Sequence, residues 1–120
     1  MDKFLLGISL FNDADYFSAH DAFEDEWRGC NNNDKLFFQG LTQIAVGSFH
    51  FASGNYKGSL SQFKKGVTKL RQYLPDYKNV DLSLLIENIT EIIDILESNF
   101  DKKVNMNQID IPKILMVKTN

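Results

Sequence analysis

The chain has 120 residues, 43% of them hydrophobic and 24% charged, with a net charge of −3 and one cysteine, Cys30. These values fit a single globular domain over 1–120, exclude an internal disulfide and give no whole-molecule attraction to nucleic acid. No stretch reaches the ~20 apolar residues of a membrane span, and the opening MDKFLLGISLFNDAD lacks a secretory leader's apolar run, so a cytoplasmic protein is expected.

A first helix is predicted over about 3–11. A second covers about 15–28, with Asp15 as N-cap and Gly29 as its stop. The loop CNNND leads to a third helix near 35–53, with Asp34 at its N-cap and Gly54 beyond its end. That helix reads LFFQGLTQIAVGSFHFA, apolar nearly all round, as a central helix would be; Phe37, Phe38, Phe49 and Phe51 read as core. Asn55 caps a fourth helix that stops before Pro75. A fifth runs over about 82–98 after Asp81 and buries Leu82, Leu85, Ile86, Ile89, Ile92, Ile93 and Leu96, a clean helical period. No strand-like alternation persists. The last twenty residues, with IDIPKILMV, are too apolar for a free tail and are expected to lie extended across the bundle over about 100–118. The fold class is all-α: a small bundle of about five helices arranged as tandem helical hairpins, the core hairpins over about 3–75, with an extended C-terminal segment.

Shifting the chain by forty residues places Gly7 on Gly47, Phe11 on Phe51, Tyr16 on Tyr56 and Phe23 on Phe63, and Asp15 falls on Asn55. The second and fourth helices then share one stripe: Tyr16, His20, Phe23 and Trp27 against Tyr56, Leu60, Phe63 and Val67. Both step by four, three and four, the spacing of a buried helical face. Charge is unevenly spread. Residues 1–28 hold seven acids and two bases, and 57–78 hold six bases and one acid. Lys57, Lys64 and Arg71 form one stripe, read first as a solvated face.

In this alignment His20 stands opposite Leu60. On the second helix His20, Glu24 and Trp27 share an arc of about 60°, and on the third Gln39, Gln43 and His50 fall within about 40°. If the two stripes face each other, His20, Glu24, Gln39, Gln43 and His50 form one polar cluster shielded by Trp27. A buried polar group without a hydrogen bond costs roughly 1–3 kcal/mol, so such a cluster must be satisfied internally or must meet water, a metal or a ligand. The first option is a buried His/Glu/Gln network that fixes helix packing. The second is a transition-metal or small-molecule site, or a hydrolase-like acid–base site, on His20, Glu24 and His50. Di-iron bundles need more Glu and Glu-x-x-His pairs than are present. Cys30 sits in GCNNN with no histidine beside it, and the glycines make no phosphate loop.

The succession LFNDADYFSAHDAFEDEW, then FFQGLTQIAVGSFHFASGNYKGS, resembles the family known as domain of unknown function 309 over about residues 10–60. Its pattern falls on Phe11, Asn12, His20, Glu24, Trp27, Gln39, Gly40, Gln43, His50, Asn55 and Gly58. The family commonly has glutamate where this chain has Asp21, and arginine before the Q-G-L segment where this chain has Lys35. GNYKGSLSQFKKGV also resembles the second helix of a tetratricopeptide unit, though the period of forty is longer. The resemblance implies an all-helical fold and no assigned activity. The residues favour a non-enzymatic interaction or scaffold protein that binds another protein, without nucleic acid or membrane as partner; the alternative is the metal-binding, ligand-binding or hydrolase-like reading of His20, Glu24 and His50. Oligomeric state is left open.

Overall fold

A computed structural model of the chain describes residues 2–98 and 106–117. Five α-helices form in chain order: α1 (Lys3–Asn12), α2 (Tyr16–Gly29), α3 (Lys35–Ala52), α4 (Tyr56–Leu70) and α5 (Leu82–Ser98). Each packs on its neighbour in sequence, so the hairpins α1–α2 and α3–α4 stack side by side and α5 covers α4. The core is mainly aliphatic and aromatic, with Ser48 and Ser59 buried beside it, and α5 buries the seven residues its period singles out.

The forty-residue repeat is present atom by atom. Asp15 accepts from the Ser18 N–H, and Asn55 accepts from Gly58 N–H. Just before each cap the chain turns through a left-handed residue, Ala14 at φ 64° and Gly54 at φ 81°. The turns share their hydrogen bonds: Ala14 N–H to Phe11 C=O at 2.9 Å matches Gly54 N–H to Phe51 C=O at 3.1 Å. Across each turn an aromatic pair meets edge to face, Phe11 with Tyr16 at 5.0 Å and Phe51 with Tyr56 at 5.3 Å. In each hairpin a phenylalanine ring lies on a helical glycine. A Cβ on Gly7 would stand 2.6 Å from the Phe23 ring, and one on Gly47 would stand 2.6 Å from the Phe63 ring. Both rings are fully buried, worth roughly 1.5–3 kcal/mol each.

Two local readings are corrected. Asp34 sits at the N-cap position of α3 but makes no side-chain cap. Its buried carboxylate instead accepts from the Tyr77 hydroxyl and pairs with Lys78 at 3.1 Å. Each carboxylate oxygen is turned to one of these partners, Oδ1 to Tyr77 and Oδ2 to Lys78, and not back to the first-turn N–H groups. Second, a short antiparallel pair joins β1 (Asp76–Tyr77) to β2 (Val80–Asp81). Lys78 and Asn79 both take positive φ, 48° and 68°, as a type I′ turn requires, and no glycine marks the place in the sequence. The α-helical part of α4 ends at Leu70 and a 3₁₀ turn, Arg71–Tyr73, carries the chain toward Pro75.

Residues 109–117 run extended. The Asn12 amide brackets the Ile114 peptide, donating to its C=O at 2.9 Å and accepting its N–H at 2.8 Å. Ile114 is buried, and Met116 bridges Val80. The parts of the expected C-terminal segment at 100–105 and 118 lie outside the described residues.

Candidate functional site

The two polar stripes do meet, along the contact between α2 and α3, but as a line and not as a cluster. Gln39 and His50 share an azimuth on α3, yet eleven residues separate them, about 16 Å along the axis. Because α2 and α3 run antiparallel, the start of α2 faces the end of α3. His20 and His50 therefore meet at one end, and Trp27, Gln39 and Gln43 at the other. Nor is the line buried. The deeply buried arc of α2 is Ala19, Ala22 and Phe23; His20, Glu24 and Trp27 lie one position, about 100°, further round and are half-exposed. Gln39, Gln43 and His50 are likewise half-buried. The expectation of one buried cluster is corrected on both counts.

At the histidine end lies a groove of about 210 Å³ lined by Tyr16, Phe17, His20, Val46, Phe49 and His50. Its walls are almost entirely carbon. Phe17 and Phe49 cross edge to face at 5.7 Å, and each also touches a histidine ring, Phe17 with His20 at 5.1 Å and Phe49 with His50 at 6.0 Å. The rings thus run His20–Phe17–Phe49–His50 across the helix contact. Phe17 is 56% exposed and Phe49 40%. Reading Phe49 as core was wrong: it sits beyond the buried stripe Ile44, Ala45, Gly47, Ser48 and Phe51.

Hydrogen bonds orient both imidazoles. His20 Nδ1 lies 2.7 Å from the Phe17 carbonyl, which can only accept, so Nδ1 carries the proton and Nε2 faces Glu24 at 3.4 Å. Asn55 has its Oδ1 engaged by Gly58, so its Nδ2 donates to His50 Nδ1 at 3.4 Å and leaves the His50 proton on Nε2. Glu24 is also held by Arg28, which bonds Asp25 as well. Asp21 stands 3.6 Å from His20. Burial, then the charge of Asp110, pushes the Tyr16 hydroxyl above the usual tyrosine range.

His20 and His50 share a groove, while Glu24 touches His20 alone. Among the described residues no group of three His, Cys, Asp or Glu side chains is placed to hold a metal ion, so the trio does not form a ligand set. Cys30 is half-buried and its thiol donates to the Trp27 carbonyl. No helix among the described residues is long and apolar enough to cross a membrane.

Phe17, Val46 and Phe49 are site residues that the polar stripes do not mark. The repeat carries a signal for the two aromatics: Phe17 falls on Lys57 and Phe49 on Ser9, so each aromatic stands where the other hairpin puts a polar, exposed residue.

Comparison with curated proteins gives no match. Residues 4–62 match the model of a family described as a domain of unknown function (DUF309), a span reaching from α1 into α4 and containing both sides of the groove. The chain thus resembles the DUF309 family from α1 to the first half of α4, a family with no assigned activity.

Proposed function

We propose that the protein is a non-enzymatic binding module whose α2–α3 groove seats one large apolar side chain of a partner protein, flanked in that partner by lysine or arginine. The observation that carries the reading is the exposed Phe17–Phe49 pair roofing a carbon-walled groove sized for a single side chain. Monomeric surfaces carry isolated apolar residues freely, but paired aromatics beside a concavity mark recognition sites. Burying a large apolar side chain there is worth about 1.5–3 kcal/mol. The charge of the partner follows from α2 and the turn before it, where Asp13 and Asp15 and then Asp21, Glu24, Asp25 and Glu26 precede the first base, Arg28. Opposite charge at the rim speeds encounter and selects partners more than it adds affinity.

The test is a set of short, end-blocked peptides with a central phenylalanine, flanked by lysines in one series and by glutamates in the other. Binding is followed by amide shifts of the ¹⁵N-labelled protein. The lysine series is expected to shift residues of the groove, with affinity falling as salt rises. Phe17→Lys, which copies Lys57, should abolish those shifts while changing stability by no more than about 0.5 kcal/mol, because the ring is mostly exposed. Equal binding by the glutamate series, or full binding by Phe17→Lys, would sink the proposal.

A further inference from the structure

The chemistry that fits the α2–α3 groove, a large apolar side chain flanked by lysine, is present on the chain itself. Outside the groove, Leu5, Leu74, Leu115 and Met116 are the large apolar side chains left exposed among the described residues. Leu5 lies on α1, inside the acid-rich stretch 1–28, and Leu74 has Asp76 two residues on. Leu115 differs. Lys113 stands two residues before it, Lys118 follows three residues after, and no acid occurs beyond Asp110. Lys113 is exposed and joins no ion pair among the described residues.

The backbone turns Leu115 outward and holds it there. Side chains alternate along an extended segment, so Ile114 is buried while Leu115 is 47% exposed. On one side the Asn12 amide brackets the Ile114 peptide. On the other, the Leu115 C=O accepts from the Asp81 N–H at 2.9 Å, and the Val117 N–H donates to the Asn79 C=O at 2.7 Å. A side chain on a backbone already fixed loses little freedom on docking. The same bonds keep Leu115 out of its own groove, whose lining does not include it. Pairing two grooves face to face is opposed by charge, because Asp13, Asp15 and Asp21 would meet their own copies.

We infer that the groove's occupant is the extended C-terminal segment of a second copy of this chain, with Leu115 inserted between Phe17 and Phe49 and Lys113 beside the acids of α2. The inference rests on the reading of the groove as a socket for one apolar side chain and names its partner. Groove and segment are different surfaces, so the contact is heterologous: two such contacts about a twofold axis close a dimer, and otherwise copies add in a row.

The test is sedimentation equilibrium of the full chain over a range of concentrations reaching about 1 mM, the scale of a weak specific contact. The weight-average mass should rise with concentration and fall back as salt is added. Leu115→Glu should weaken association at least about tenfold, the change that burying one leucine supports; Lys113→Glu and Phe17→Lys should weaken it too. Mixing Leu115→Glu with Phe17→Lys should restore a two-copy species, since one variant keeps its groove and the other its segment. An end-blocked peptide of residues 113–118, KILMVK, should shift the groove amides of the unaltered ¹⁵N-labelled protein, a readout that no misfolded variant can obscure. A chain that stays monomeric throughout overturns the inference, as does association that survives Leu115→Glu, or a peptide that leaves the groove amides unmoved. If the lysine-flanked phenylalanine peptides bind while the chain stays monomeric, the socket stands and only this partner falls; if neither occurs, both fall.

Discussion

The two turns that open α2 and α4 have the same backbone path, but one places alanine in the left-handed region and the other glycine. Left-handed geometry costs an L-residue about 1–2 kcal/mol through the contact of its Cβ with the following carbonyl. Replacing Ala14 with glycine removes that cost and adds about 0.4–1 kcal/mol of unfolded-chain entropy against folding. The net expectation for Ala14→Gly is stabilisation of about 0.5–1 kcal/mol. Gly54→Ala should lose a similar amount, and only through the backbone, because a Cβ there would meet nothing within 4 Å. For 120 residues an unfolding entropy of about 2.1 cal/mol/K per residue converts 1 kcal/mol into about 4 °C. Thermal unfolding followed by circular dichroism should thus show midpoint shifts of about 2–4 °C with opposite signs. Combining both substitutions should return the midpoint near its starting value, since separate sites add. A fall in the midpoint of Ala14→Gly, or shifts of the same sign in both, would refute the equivalence of the two turns and the strain assigned to Ala14.

Gly47→Ala should destabilise despite the higher helix propensity of alanine. Overpacking against Phe63 costs about 1–3 kcal/mol against a propensity gain of about 1, and urea denaturation of Gly47→Ala with and without Phe63→Leu would show the loss shrinking in the double variant. Asn12→Ala leaves both polar groups of the Ile114 peptide unpaired, so hydrogen exchange at the Ile114 amide should accelerate well beyond that of the α5 core. The Tyr77 hydrogen bond, with help from Lys78, holds the Asp34 carboxyl below the usual carboxylate range. A depressed native value stabilises the fold above the unfolded value of about 3.9 and is lost as pH falls through the lower native one. The stability gap between the unaltered chain and Asp34→Asn should accordingly be constant near neutrality and close only in acid; a gap that widens below pH 4 would contradict it.

The helices were readable because their signals are local. Asp15 and Asn55 cap, the α5 period leaves no choice of face, and the forty-residue offset pairs glycine with glycine and ring with ring. What sequence spacing could not supply was position along an axis. Helical azimuth put Gln39 and His50 together, while rise set them about three turns apart, so one imagined centre became two pockets. The partial exposure of His20 was also hidden, since a seam of four-three-four steps does not say which member lies at its edge; Leu60, its counterpart, is half-buried too. The diversion of Asp34 to Tyr77 and Lys78 depends on a turn more than forty residues away, one that no glycine announces. Phe17 was legible only as a mismatch with Lys57, a difference that carries meaning once the two hairpins are known to superpose.

The bond between Asn12 and Ile114 spans 102 residues of chain, whereas the ring-on-glycine contacts close within single hairpins. Closure entropy rises with that distance, so the expected order is hairpins first and the Asn12–Ile114 contact last. Loosening that fastening at Asn12 therefore shortens the lifetime of the native state and leaves the rate of folding nearly untouched.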